Sequence, residues 1–254
     1  MENDNELKNS ILNGYQELIK IAIKNNKTST KEVTVCPTIR GSEPKIMFVG
    51  RSINGWCNII QNGEDKTLQQ LKVCRQIGLD WFVNPDTYAN CTKLGCPLAK
   101  QQNCPLAKVK QAKAPISKSK FLKFIRYVCK QNNIDVSNND WVNNIAWSNL
   151  YKMSYVNGGN PKRLYDVQKE ICDNLLQNEI KYIKPKAICF ITERKKNPNT
   201  YDSRTWFSPT DFKQTYNYLK NNQIDTYITI RPERTAFDRV FSEKRQLTYN
   251  GTKG

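Results

Sequence analysis

Two groups of residues have the types and the spacing to do chemistry. The first follows four short apolar runs. Gly50-Arg51-Ser52-Ile53-Asn54-Gly55-Trp56 comes after Ile46–Val49, and Asn149-Leu150-Tyr151-Lys152 comes after Ile145–Trp147. Glu193-Arg194 closes the run Ile188–Ile191, and Arg231-Pro232-Glu233-Arg234 follows Ile228–Ile230. Arginine is always charged and presents a planar fork of donors that suits phosphate. An amide such as that of Asn149 carries a donor and an acceptor, so it can read an imide edge through paired hydrogen bonds. Trp56, beside a glycine, is the best placed indole for contact with a base. Ser52 has no neighbouring base to activate it as a nucleophile. Each residue also has a plainer role open to it. Arg51 could be an ordinary loop cation, Asn149 could tie down loop backbone, and Trp81 and Trp147 read as core.

The second group is Cys91, Cys96 and Cys104, spaced x4 and x7, two of them followed by proline. Cys-Pro accompanies iron–sulfur ligands, and four thiolates also make a zinc site. A fourth thiolate could come from Cys74, Cys36, Cys57 or Cys172. A loop of free thiols is the alternative. Cys129 and Cys189 lie on apolar stripes and read as core. The chain has nine Cys and no His. The odd count and the absence of a secretory signal speak against a disulfide framework. Without His, acid/base work falls to Asp, Glu, Lys, Tyr or Cys.

These residues need a scaffold, and the apolar pattern supplies one. Leu7, Ile11, Leu12, Tyr15, Leu18, Ile19 and Ala22 recur at helical spacing, which predicts a helix over 6–24. The spacing predicts further helices over 66–77, 119–132, 163–183 and 211–221, the one over 163–183 burying Val167, Ile171, Leu175, Leu176 and Ile180. Strands are expected over 45–50, 142–151, 186–191 and 226–230. Strands alternating with helices imply an α/β fold, a three-layer sandwich with a mostly parallel central sheet. Ligands of such sheets sit beyond the C-terminal strand ends, where the first group of residues lies.

Residues 84–115 break the pattern with four Pro, three Cys and five Lys. They read as a Cys/Lys-rich insertion in which Cys96-Pro97-Leu98-Ala99-Lys100 recurs as Cys104-Pro105-Leu106-Ala107-Lys108. The expected organisation is an N-terminal helix and lead-in over 1–43, the α/β domain over 44–242, and a frayed polar tail over 243–254.

Lys and Arg total 40 against 23 Asp and Glu, a net charge of +17. Such a surface attracts polyanions through counterion release and long-range steering. The sequence has no apolar run of about 18 residues, so no membrane span is expected. The start Met1-Glu2-Asn3-Asp4-Asn5 is polar and acidic, which places the expectation in the cytoplasm.

In this order the motifs resemble the uracil-DNA glycosylase superfamily, most closely its iron–sulfur, thermophile-type branch. The likeness runs from about Pro44 to Arg239, outside the insertion. Lys45–Gly50 is similar to the strand entering the family's first motif. Ala114-Pro115-Ile116 and the helix after it are similar to the family's loop and helix after its Pro-Phe pair. Ile145–Lys152 resembles the strand carrying the base-reading Asn. Asn157–Pro161, the helix through Cys172 and Ile183–Ile188 follow, and Ile230–Arg234 stands at the family's His-Pro-Ser loop. The resemblance implies DNA, single- or double-stranded, as the partner of a monomer. It also implies excision of a damaged or deaminated base.

Asn149, Arg231 and Ser52 stand at the family's catalytic positions. Gly50, Arg51, Asn54, Trp56, Lys152, Arg194 and Arg234 stand where nucleic acid is bound. Cys172 stands at a cluster ligand, so Cys91, Cys96, Cys104 and Cys172 form the expected metal set. Departures are plain. Arg51 replaces a Glu, Gln or Asn, Ser52 an Asp, Arg231 a His, and Ile116 a stacking aromatic. Met153 replaces a cluster Cys. N-glycosidic cleavage calls for a carboxylate near the sugar, and Asp202 and Glu193 are the candidate substitutes. A non-catalytic binder with an Arg-lined cleft is the alternative, as is a doubly wound binder of a small anionic nucleotide.

Overall fold

A computed structural model describes residues 4–29, 32–35, 38–51, 120–137, 139–155, 162–193, 206–230, 232 and 245–246. In chain order the elements are α1 (Asp4–Thr28), β1 (Val33–Val35), β2 (Ile39–Arg40), β3 (Ile46–Gly50) and α2 (Lys120–Gln131). A 3-10 turn (Asn139–Asn144), β4 (Ile145–Asn149), β5 (Met153–Tyr155) and α3 (Lys162–Ile183) follow. The chain continues through β6 (Ala187–Glu193), α4 (Lys213–Asn221), β7 (Asp225–Ile230) and β8 (Arg245–Gln246).

All five residues of β3 are buried, as continuous apolar runs demand when helices cover both faces. The main sheet has the order β2-β4-β3-β6-β7-β8. Its four central strands are parallel, and the two-residue strands at either edge are antiparallel. The α/β class and the mostly parallel sheet therefore match the expectation. The edges differ. Arg245 and Gln246, expected in the frayed tail, pair with β7. β1 and β5 form a separate antiparallel pair, which the helix-and-strand alternation did not announce. The strand expected from residue 142 begins at Ile145. Before it, the carbonyls of Asn143 and Asn144 accept from Glu43 and Lys45 N–H, so this backbone serves the turn after β2.

Side-chain contacts define three layers. On one face α2 lays Phe121 against Trp147, ring centroids 5.1 Å apart. On the other, α3 reaches Ser148 through Glu179, and Phe190 of β6 stacks on Phe207 at 3.8 Å. α1 lies along α3. A Cβ on Gly14 would run into the Leu175 side chain, so glycine sets this close approach, and Leu18, Ile19 and Ala22 are fully buried. The helix expected over 6–24 is thus part of the main core. Val167 corrects the stripe assigned to α3, being 52% exposed. Leu175, Leu176 and Ile180 are buried as expected, and Leu164, Gln168, Cys172 and Glu179 complete the buried side.

Three helices are followed by a non-glycine residue in the left-handed region: Asn133 (φ 58°) after α2, Lys184 (φ 53°) after α3 and Gln223 (φ 50°) after α4. After Asn133 and Gln223 the next N–H returns five residues, Ile134 to Cys129 O and Ile224 to Leu219 O, the Schellman pattern. At the start of α4 the cap comes from another helix. The Asp173 carboxylate of α3 accepts Gln214 N–H at 2.8 Å and Thr215 N–H at 2.9 Å. Among the described residues no helix is long and apolar enough to cross a membrane.

Candidate nucleic-acid interface

The parallel order places a topological switch between β3 and β6. From β3 the chain passes by α2 to β4 on one side, and from β6 it passes by α4 to β7 on the other. Adjacent strands with diverging connections leave a crevice at their C-terminal ends. Gly50 and Arg51 end β3 there, and Thr192 and Glu193 end β6.

Gly50 is the register partner of Asn149. The ladder continues past the strands, with Leu150 N–H to Gly50 O at 2.8 Å and Tyr151 N–H to Arg51 O at 2.9 Å. A Cβ at Gly50 would stand 2.6 Å from Asn149 Oδ1. Glycine therefore lets the amide lie across the strand end, where Asn149 is 4% exposed. The Phe121 ring borders the same spot, so this amide belongs to the α2 side of the rim.

Arg51 belongs to the α3 side. Its guanidinium carbon lies 4.8 Å from the centre of the Trp206 ring. That indole is held edge-on by Tyr165 at 5.2 Å and Tyr151 at 6.3 Å. Tyr151 in turn stacks on Tyr165 at 4.2 Å and meets Phe212 at 5.6 Å. Burial, and after it the negative charge of Asp211, push the Tyr151 hydroxyl well above the usual phenol range, so it stays a neutral phenol. An ion pair between Lys169 and Asp211 ties the segment before α4 to α3. Thr192 is fully buried at the end of β6. Its hydroxyl, and the buried indole N–H of Trp206, have no hydrogen-bond partner among the described residues.

Lys152 requires a correction. Expected to meet nucleic acid, it is 0% exposed. Its ammonium donates to Glu179 Oε2 at 2.7 Å, to Thr38 Oγ1 at 3.1 Å, and to Ser148 Oγ. Thr38 Oγ1 donates to Ser148 Oγ at 2.6 Å, and Ser148 Oγ donates to Glu179 Oε2 at 2.9 Å. Tyr15 completes the circuit, donating to Glu179 Oε1 at 2.6 Å and accepting Thr38 N–H at 2.9 Å. All three ammonium protons are engaged inside the protein, which leaves none for a phosphate.

Cys172 is likewise a core thiol. Its sulfur accepts Lys152 N–H at 3.4 Å and its thiol donates to Gln168 Oε1 at 3.4 Å. Burial pushes it up to about 12. Among the described residues no group of three His, Cys, Asp or Glu could hold a metal. Cys129 and Cys189 are buried in the core, as expected.

The structure brings Gly50, Arg51 and Asn149 to one strand end. Glu193 ends β6 across the crevice, half-buried. Ser52, Asn54, Trp56, Arg194, Arg231, Arg234, Asp202, Cys91, Cys96 and Cys104 lie outside the described residues. Sequence reasoning missed Trp206, Tyr165 and Glu179. Glu179 had a signal, since it falls between Leu176 and Ile180 on the apolar stripe of α3. Trp206-Phe207, an aromatic pair between a polar stretch and a helix, was a fainter one. In sequence, no known protein family and no curated protein matches this chain.

Proposed function

We propose that the protein binds DNA across the crevice between β3 and β6, as a member of the uracil-DNA glycosylase superfamily. The observation that carries this reading is the Gly50–Asn149 pair. A glycine-permitted amide is fixed at the end of two central parallel strands, with the Arg51 cation at the adjoining position. Asn149 would read a base edge from the α2 side, and Arg51 would hold a phosphate from the α3 side. A nucleotide bound in this way straddles the rim. The net charge of +17 supplies the long-range attraction.

Base excision is the enzymatic form of this reading. Glu193, which ends β6, would supply the carboxylate that a positive sugar needs. No step of the reading passes through a metal.

The test uses oligonucleotides carrying uracil, hypoxanthine or xanthine, single- and double-stranded, scored for binding and for abasic sites. Salt-sensitive binding weakened by Asn149→Ala supports the interface. Abasic product abolished by both Asn149→Ala and Glu193→Gln makes the protein a glycosylase. Binding without product makes it a non-catalytic binder. Absence of binding at low salt removes the reading altogether.

A further inference from the structure

We infer that the outer face of α2 is a track for a nucleic-acid backbone, on which Lys123 and Lys130 each take a phosphate of the strand held at the crevice. The inference rests on the reading above and adds the path by which the strand leaves the crevice. α2 begins beside that site, where the Phe121 ring lies 3.7 Å from a Cβ placed on Gly50. Beyond its other end, Asn132 lines a hollow with Ile46 and Ala187, the first residues of β3 and β6. The helix therefore leads away from the crevice over the length of the strands.

The two sides of α2 differ sharply. Phe124, Ile125, Val128 and Cys129 are buried, while Lys123 and Lys130 are exposed. Seven residues make close to two turns, so both lysines stand on the outer side, about 10 Å apart along the axis. Arg126, between them, donates to Val136 O at 2.7 Å. Among the described residues neither lysine ammonium has a hydrogen-bond or ion-pair partner.

This charge pattern does not serve the helix itself. Acidic groups favour a first turn and basic groups disfavour it. α1 opens on Asp4 and Glu6, and the Asp173 carboxylate closes the start of α4. α2 opens on Lys120 and Lys123, with no acidic residue in its first turn. A helix whose charges serve solubility mixes the two signs, as α3 does with four Lys or Arg and four Asp or Glu. α2 carries four Lys or Arg and no acidic residue in 12 positions. Such a single-signed surface is complementary to a polyanion, and a lysine meets phosphate as a point charge.

The test measures affinity for a labelled single-stranded oligonucleotide of about 15 nucleotides across a salt series, in wild type, K123A/K130A, K123R/K130R and K24A/K27A. K123A/K130A should weaken binding about tenfold at about 0.1 M salt and lower the salt slope by about 1.4, roughly 0.7 for each phosphate. K123R/K130R keeps both charges and should bind within about threefold of wild type. K24A/K27A removes two exposed charges from the end of α1, on the other side of the sheet, and should leave the slope unchanged. A K24A/K27A loss equal to that of K123A/K130A means attraction by net charge alone and overturns the inference. So does a K123A/K130A protein with the wild-type slope, or a K123R/K130R protein as weak as the alanine pair. DNA binding at the crevice survives each of these results. Wild-type protein that binds no oligonucleotide at low salt removes the proposed function, and the inference with it.

Discussion

The molecule holds two cations against its central sheet in opposite ways. Lys152 sits under α1 and α3, with every proton of its ammonium donated to a side chain of the same protein. Arg51 sits at the strand ends, held by the face of an indole. A compact ammonium is satisfied from several directions and can be sealed. A flat guanidinium can also be met on its face by an aromatic ring. Sequence position does not distinguish the two, since each follows an apolar strand and each lies in a stretch resembling a nucleic-acid motif. The difference arises from what the opposing helix offers. α3 presents Glu179 to Lys152 and Tyr165, through Trp206, to Arg51.

The largest effect should come from breaking the sealed cation. Lys152→Met leaves the Glu179 carboxylate buried without its counterion. It should cost about 3–5 kcal/mol in denaturant unfolding, with much of the loss recovered in Lys152→Met/Glu179→Leu. DNA affinity per folded molecule should be unchanged. A selective loss of affinity would erase the contrast between the two cations.

Next in size is Asp173→Ala, which strips both acceptors from the start of α4. It should cost about 1–2 kcal/mol by the same measurement. The segment carrying Trp206 is followed directly by this helix, so DNA affinity should fall modestly as well.

Alkaline pH should sharpen the comparison further. Tyr15 is pushed well above the phenol range, first by burial and then by the charge of Glu179. Burial pushes the Cys129 thiol up to about 12. The sign follows from protons held. These groups stay protonated in the folded state where the unfolded chain would release them. Their stability contribution is complete below about pH 8 and falls as pH rises through the unfolded values and beyond. Unfolding at a series of pH values should show the decline. Tyr15→Phe should flatten it, and absorbance of ionised phenol from Tyr15 should appear only with unfolding.

The smallest effect is Gln223→Gly. The left-handed φ at 223 strains a side-chain-bearing residue that glycine would not strain. A gain below about 1 kcal/mol is expected, with no change at the strand ends.

The sheet was legible because buried parallel strands must be continuously apolar, and Ile46–Val49 and Ala187–Ile191 are. The edge strands were not, because Ile39–Arg40 and Arg245–Gln246 are too short to carry a period. Asn149 was legible by position, but its orientation depends on the absence of a side chain at Gly50, which only the register reveals. Lys152 misled because a lysine after a strand reads as solvent-facing unless its carboxylate is known. That carboxylate comes 27 residues later. Trp206 stayed hidden because its partners, Arg51, Tyr151 and Tyr165, come from three separate parts of the chain.

The Tyr15–Glu179 hydrogen bond joins residues 164 positions apart. During synthesis α1 leaves the ribosome before α3, and Glu179 emerges 164 residues after Tyr15. At about 5–20 residues per second, Leu18, Ile19 and Ala22 wait many seconds with no surface to cover them. Such long-range closure is slow even after release. The nascent chain therefore carries an uncovered apolar stripe until α3 has emerged, and a factor that shields emerging helices should raise its yield more than a refolding additive would.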